Sequence, residues 1–232
     1  MTAGHCITEI EKARRKGYDA KFSLRDDLGP QKRFKQGIPF LIDKGDYAYI
    51  DIDHSDDYAA IHLHDNTRRL MEANGIRALD ATVWKLQPRE VESFGLVGIP
   101  DELLERVKGA IGTTTKFYFV EPFAERPEAF KPTDTPRFYG RIVLGENETN
   151  IEGVSGGPIF SFARGDDGQW RYWLYAVQSS WIRDGESGLI AACPVKPFIE
   201  NFESALLQAI KSLQETKKPK ARRKKARPSR KK

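Results

Sequence analysis

The stretch Ile151-Glu152-Gly153-Val154-Ser155-Gly156-Gly157-Pro158 is the most informative in the chain. It sets one serine among three glycines. Without a Cβ the backbone can pass close to a substrate carbonyl. Successive N–H groups can then converge on one point and stabilise an oxyanion. A plain glycine-rich turn has the same composition, so the flanking sequence must decide. Those flanks read as strands. Residues 157–163 and 171–177 follow the stretch, and Phe94-Gly95-Leu96-Val97-Gly98-Ile99, residues 115–120 and residues 137–144 precede it. Residues 115–120 are rich in β-branched and aromatic types, which suit a pleated sheet.

Further upstream, Gly37-Ile38-Pro39-Phe40-Leu41-Ile42, Tyr47-Ala48-Tyr49-Ile50 and Tyr58-Ala59-Ala60-Ile61 repeat the pattern. Many short apolar runs divided by turn residues predict an all-β sandwich or barrel. One helix is expected over residues 67–74 with Gly75 as its stop, and residues 122–136, with four prolines, form a loop. The period changes over residues 197–211, where Phe198, Phe202, Ala205, Leu206 and Ile210 share one helical face. Many strands closed by a C-terminal helix is the expected architecture.

The 232 residues carry a formal charge of +5, but this figure misleads. Residues 217–232 hold 11 Lys/Arg and no acid. Without them 27 basic residues face 33 acidic ones, a net −6 for residues 1–216. The basic character belongs to the tail, which is expected to be disordered and to make at most weak contact with a polyanion. It does not mark a nucleic-acid surface on the fold. No apolar run reaches the length of a membrane span, and two cysteines exclude a disulfide scaffold. No charged segment followed by an apolar one opens the chain, so no signal peptide is expected in it.

Residues 153–157 also fit G-x-S-x-G, the nucleophile elbow of α/β-hydrolases. Those enzymes place the catalytic histidine after the serine. Here His5, His54, His62 and His64 all precede Ser155, which excludes that triad within the chain. The order His, Asp, Ser remains. Thr2-Ala3-Gly4-His5-Cys6 resembles the active-site histidine motif of the trypsin-like serine proteases. Asp57-Tyr58-Ala59-Ala60-Ile61 resembles their aspartate motif, and residues 153–158 their nucleophile motif. The spacings are 52 and 98 residues, against about 45 and about 93 in the chymotrypsin template. The resemblance covers about residues 2–212.

The resemblance implies a serine endopeptidase acting on polypeptides, with no cofactor and no metal. It implies two six-stranded antiparallel β-barrels of the chymotrypsin type: a first over residues 1–90, and a second over 91–214 that ends in the helix. The basic tail is then 215–232. His5 is implied as base, Asp57 as its partner and Ser155 as nucleophile, with the Gly153 and Ser155 N–H groups forming the oxyanion hole. Asp51, Asp53 and Asp56 rival Asp57, but only Asp57 puts Ala59 in register.

Departures from the family pattern are informative. Val154 stands where animal digestive relatives carry an aspartate that grips the new N-terminus after zymogen cleavage, so the chain looks more like bacterial members. Thr149, six residues before the serine, replaces the acid that gives trypsins their preference for Arg and Lys. Ser180-Trp181 resembles the strand that pairs with substrate backbone, and Ile182 replaces a glycine, which implies a shallow apolar pocket. Cys6 lacks its usual upstream partner and is expected to be a buried free thiol; a Cys6–Cys193 bridge is the alternative. His62-x-His64 on a strand would point both rings to one face, but no further ligand completes a metal site.

Only four residues precede His5, where the family has several strands. A first barrel short of strands is expected, with Tyr18 to Leu28 the segment available for substitute pairing. Two other readings stay open. One is an inactive or truncated relative; the other is a nucleic-acid-binding protein acting through its tail.

Overall fold

The computed structural model describes residues 1–18, 22–24, 38–40, 47–51, 57–86, 88, 90–107, 110–146 and 148–216. The chain enters helix α1 (Gly4–Arg15) almost at once. The pairs Glu9–Lys12 and Glu11–Arg15 line its surface, basic residues fill its last turn, and Gly17 ends it at φ +84°. Two short antiparallel pairs follow: β1 (Phe22–Leu24) with β2 (Ile38–Phe40), and β3 (Tyr47–Asp51) with β4 (Tyr58–Ile61). Phe22–Leu24 thus pairs with the expected Ile38–Phe40 run. Helices α2 (Asp65–Ala73) and α3 (Ala81–Lys85) lead out of this half. The Asp80 carboxylate caps α3 by accepting from the Thr82 N–H at 2.8 Å.

The second half closes on itself. Strands β5 (Ser93–Gly98), β6 (Glu105–Val107), β7 (Ala110–Gly112), β8 (Lys116–Pro122), β9 (Phe138–Val143), β10 (Pro158–Arg164), β11 (Trp170–Asp184) and β12 (Ser187–Pro194) follow in order. Six of them form a closed antiparallel barrel in the order β10-β11-β12-β9-β8-β5, while β6 and β7 pair separately. Closure pairs each of the six on both sides over part of its length. Alternate residues point inward, and Leu96, Tyr118, Val120, Ile142, Val154, Ile159, Ala176 and Ile190 pack as one buried cluster.

Two barrels were expected; among the described residues there is one. The strands of the first half are three to five residues long and pair in twos, which encloses no barrel interior. The long C-terminal helix α4 (Val195–Thr216) follows β12 directly. Its first turns bury Phe198 against Tyr58 of β4 and Cys193 of β12, with Phe202 packed alongside. The expected apolar face runs on through Ala205, Leu206 and Ile210, but these are exposed. Tyr58 joins the two halves. It is 2% exposed, and its ring centroid lies 4.9 Å from that of Phe198.

Candidate active site

Three residues place His5. Thr2 forms an antiparallel bridge with Ala59: the Thr2 N–H donates to the Ala59 carbonyl at 3.0 Å, and the Ala59 N–H donates back at 2.8 Å. The chain then turns into α1 at Ala3, which has no side-chain oxygen to cap the helix. The first N–H groups of a helix need an acceptor. Asp57, two residues before Ala59, supplies it. Its Oδ1 accepts from the His5 backbone N–H at 2.8 Å, and its Oδ2 lies 2.6 Å from His5 Nδ1. One carboxylate therefore caps the helix and fixes the imidazole.

The electrostatics follow from that contact. The hydrogen bond to Asp57 raises the His5 pKa to about 10, with a smaller contribution from Cys6; partial burial acts the other way. For Asp57, burial pushes the carboxyl up. The side-chain and backbone hydrogen bonds from His5, with the Arg137 charge, outweigh burial and hold it below the usual range. The imidazole of the pair is 40% exposed and the carboxylate 19%.

Ser155 sits on a loop that the barrel builds. Val154 is buried in the barrel core one residue earlier, which anchors the turn. Gly153 and Gly156 adopt φ of +87° and +88°, where side chains are strained. The Gly156 N–H donates to the Gln178 carbonyl at 2.8 Å, and the Gln178 N–H donates to the Gly157 carbonyl at 2.9 Å, so the loop is stitched to β11. A Cβ on Gly156 would strike Thr2 Oγ1 and come within 3.1 Å of the Ala3 nitrogen. The loop thus lies directly against the segment that carries His5. The Cys6 thiol reaches the Ser155 carbonyl at 3.6 Å. Among the described residues, the Gly153 and Ser155 N–H groups make no hydrogen bond, and no hydrogen bond joins Ser155 to the His5 ring.

The remaining predicted residues fall in several places. Thr149 meets a carboxylate: its N–H donates to Glu102 Oε2 at 2.9 Å and its hydroxyl to Glu102 Oε1. Arg183 Nη1 donates to the Thr149 carbonyl at 2.9 Å. The Thr149 bonds, hydroxyl first, hold the Glu102 carboxyl below its usual range. Ser180 is exposed on β11, Trp181 packs against the barrel core, and Ile182 packs beside Phe130 and Tyr139. Asp53, Asp56, His54 and the tail 217–232 lie outside the described residues, as does the side chain of Asp51.

Two expectations need correction. His62 and His64 are not on a strand; β4 ends at Ile61, and both rings are exposed, 5.6 Å apart in an edge contact. Cys6 is free, as is Cys193, so no bridge joins them; Cys6 is partly exposed rather than buried because its helix lies at the surface.

A group that the motifs do not contain lies under Asp57. Arg137 Nη1 donates to Ser179 Oγ at 2.8 Å and contacts Cys193 Sγ, and the Asp57 backbone N–H faces the same sulfur. Ser179 is the extra residue of a β-bulge: Gln178 pairs with Ala192, and Ser180 with Ala191. The bulge turns Ser179 inward, where its hydroxyl donates to the Ala191 carbonyl at 3.2 Å. Nothing in the strand pattern around Arg137 distinguishes it, and only pairing reveals the bulge. Comparison with family models, curated proteins and solved structures finds no match to the chain.

Proposed function

We propose that the chain is a trypsin-like serine endopeptidase that cleaves peptide bonds through His5, Asp57 and Ser155. The observation that carries this reading is the carboxylate of Asp57 held by both the backbone and the ring of His5, beside a loop with two positive-φ glycines that bears Ser155. With Nδ1 facing Asp57, the other ring nitrogen, Nε2, is the one left to serve Ser155. In this mechanism Nε2 takes the Ser155 hydroxyl proton as Oγ attacks the substrate carbonyl. The tetrahedral oxyanion is received by the Gly153 and Ser155 N–H groups, which have no partner of their own among the described residues. His5 then gives its proton to the leaving amine, and an acyl-enzyme remains. Water, deprotonated by the same nitrogen, attacks the acyl carbon, and Nε2 returns that proton to Ser155 Oγ as the acyl–oxygen bond breaks and the acid product leaves. Apo sites often hold such hydrogen bonds long and tighten them with substrate, so the absent Ser155–His5 bond does not oppose the scheme.

Substrate binding fits the edge of β11. Residues 180–184 pair with β12 alone, residues 170–174 with β10 alone, and Ala176 and Val177 with both. The open side can accept an extended peptide as an added strand. Ile182 would then close the pocket to large side chains, and Thr149 with Glu102 would line it. The short strands β1–β4 would belong to the first of two barrels, with the imidazole–carboxylate pair on its side and Ser155 on the other.

A fluorophosphonate probe tests the proposal, because it labels only an activated serine. Labelling that maps to Ser155 and disappears in Ser155→Ala and His5→Ala is the expected result. A folded protein that takes no label and hydrolyses neither peptide nor ester would reject it.

A further inference from the structure

The best-connected group outside the proposed triad is the one beneath Asp57. The Asp57 backbone N–H faces Cys193 Sγ, and Arg137 Nη1 contacts that sulfur from another side. The same Nη1 donates to Ser179 Oγ, which is tied to the Ala191 carbonyl. Arg137 precedes β9, Ser179 sits at the bulge of β11, and Cys193 lies on β12. Three neighbouring barrel strands therefore converge on one aspartate that belongs to the other half of the chain. Cys193 is fully buried and packs with Tyr58, the residue after Asp57. Burial pushes its thiol up, so the sulfur beside the guanidinium stays neutral.

We infer that Arg137 is a positioning residue for the Asp57–His5 pair: through Cys193 and Ser179 it seats the carboxylate and moderates the basicity of the imidazole. This rests on the proposed function above. A cation near the pair favours the ionised carboxylate and disfavours a second positive charge on the ring. Without it Asp57 would raise His5 further, and more of the base would be blocked by its own proton at working pH. Among the described residues, the ionisable groups facing the pair besides Arg137 are Cys6 and Glu9 on α1 and Cys193 on β12, none of them a cation. The direction of the Arg137 influence on Asp57 agrees with the geometry, since its charge lowers the carboxyl.

The test is the titration of the His5 ring, followed by NMR in full-length Ser155→Ala protein, which needs no turnover. Arg137→Gln and Arg137→Met remove the charge, and Arg137→Lys keeps it. The neutral variants should raise the His5 midpoint by about half a pH unit or more, with the lysine variant near the parent value. In the serine-containing protein, the neutral variants should lower kcat about tenfold with KM little changed and move the acid limb of the pH profile upward by the same amount. Lysine should restore both. An unchanged His5 midpoint in a folded neutral variant would overturn the inference. So would loss of the folded state in both neutral variants, which would assign Arg137 to the fold alone. If the parent protein shows no hydrolysis while the midpoint shifts as stated, the endopeptidase reading fails and the electrostatic coupling stands.

Discussion

Replacing Asp57 by Asn removes the charge while keeping the size, and its consequences can be worked from two hydrogen bonds. Asp57 accepts from the His5 backbone at 2.8 Å and from the ring at 2.6 Å. The first contact is a helix cap, and weakening it costs about 1 kcal/mol. The second raises His5 from 6.5 to about 10, and a difference of that size corresponds to about 5 kcal/mol when unscreened. The ring is 40% exposed, and exposed ion pairs keep only a fraction of their nominal energy, so about 1–2 kcal/mol is the reasonable expectation. Its sign with pH follows from proton counting. Below pH 6.5 the ring is protonated in both the folded and unfolded chain, and the stabilisation is complete. Between 6.5 and about 10 the folded chain keeps a proton that the unfolded chain has lost, so stability falls as pH rises. At the acid end, the depressed Asp57 carboxyl contributes above its ordinary 3.8 and loses that contribution as pH falls through its folded value. Urea denaturation of wild type and Asp57→Asn from pH 5 to 10 should show the two stability curves converging by about 1–2 kcal/mol above pH 6.5. Parallel curves would refute the reasoning. Turnover should also fall by about four orders of magnitude, the loss seen in the chymotrypsin template when its aspartate becomes asparagine.

Ser155→Ala should abolish peptide and ester hydrolysis with thermal unfolding unchanged, and His5→Ala should cost about as much, because a triad acts as a unit; residual wild-type turnover in a purified Ser155→Ala sample would reassign the nucleophile. Gly156→Ala should destabilise by about 1–3 kcal/mol, since the residue lies at φ +88° and its new methyl would push the Thr2 segment off the loop; equal urea midpoints for the two proteins would contradict the packing described. A chain ending at residue 216 should turn over a small peptide at the full-length rate. It should lose any salt-dependent affinity for single-stranded DNA, measured as the slope of binding against salt concentration; slower turnover on truncation would show that the tail contributes to the site.

The bulge at Ser179 places structure and chemistry on one residue. A regular strand would alternate inward and outward, yet Ala176, Val177, Gln178 and Ser179 are all buried and Ser180 is exposed. Gln178 uses its backbone to hold the Ser155 loop, and Ser179 uses its side chain to hold Arg137. Among the described residues the Gln178 side-chain amide has no partner at full burial. A buried water bound there would satisfy it at the usual cost of one ordered solvent molecule.

Short-range pattern made several elements legible. Runs such as residues 94–99, 115–120 and 157–163 read as strands because alternation and β-branched content act within a few residues, and Gly75 read as a helix stop for the same reason. His5, Asp57 and Ser155 could be named together because motif composition and chain order survive without coordinates. Helix α1 also rests on local signals, its Glu–Lys and Glu–Arg pairs and Gly17. The rest came from long-range contacts. Closure of one barrel depends on which strands pair: β12 turns back from β11 at Gly185 and goes on to pair with β9. The 2.6 Å contact between His5 and Asp57 depends on the Thr2–Ala59 bridge, whose partners lie 57 residues apart. Arg137, Ser179 and Cys193 carry no motif, and they meet beneath Asp57 because a bulge in β11 and the register of β12 bring them there. Local preference is written in neighbouring residues, whereas a site is made of distances between residues far apart in the chain, and only folding sets those distances.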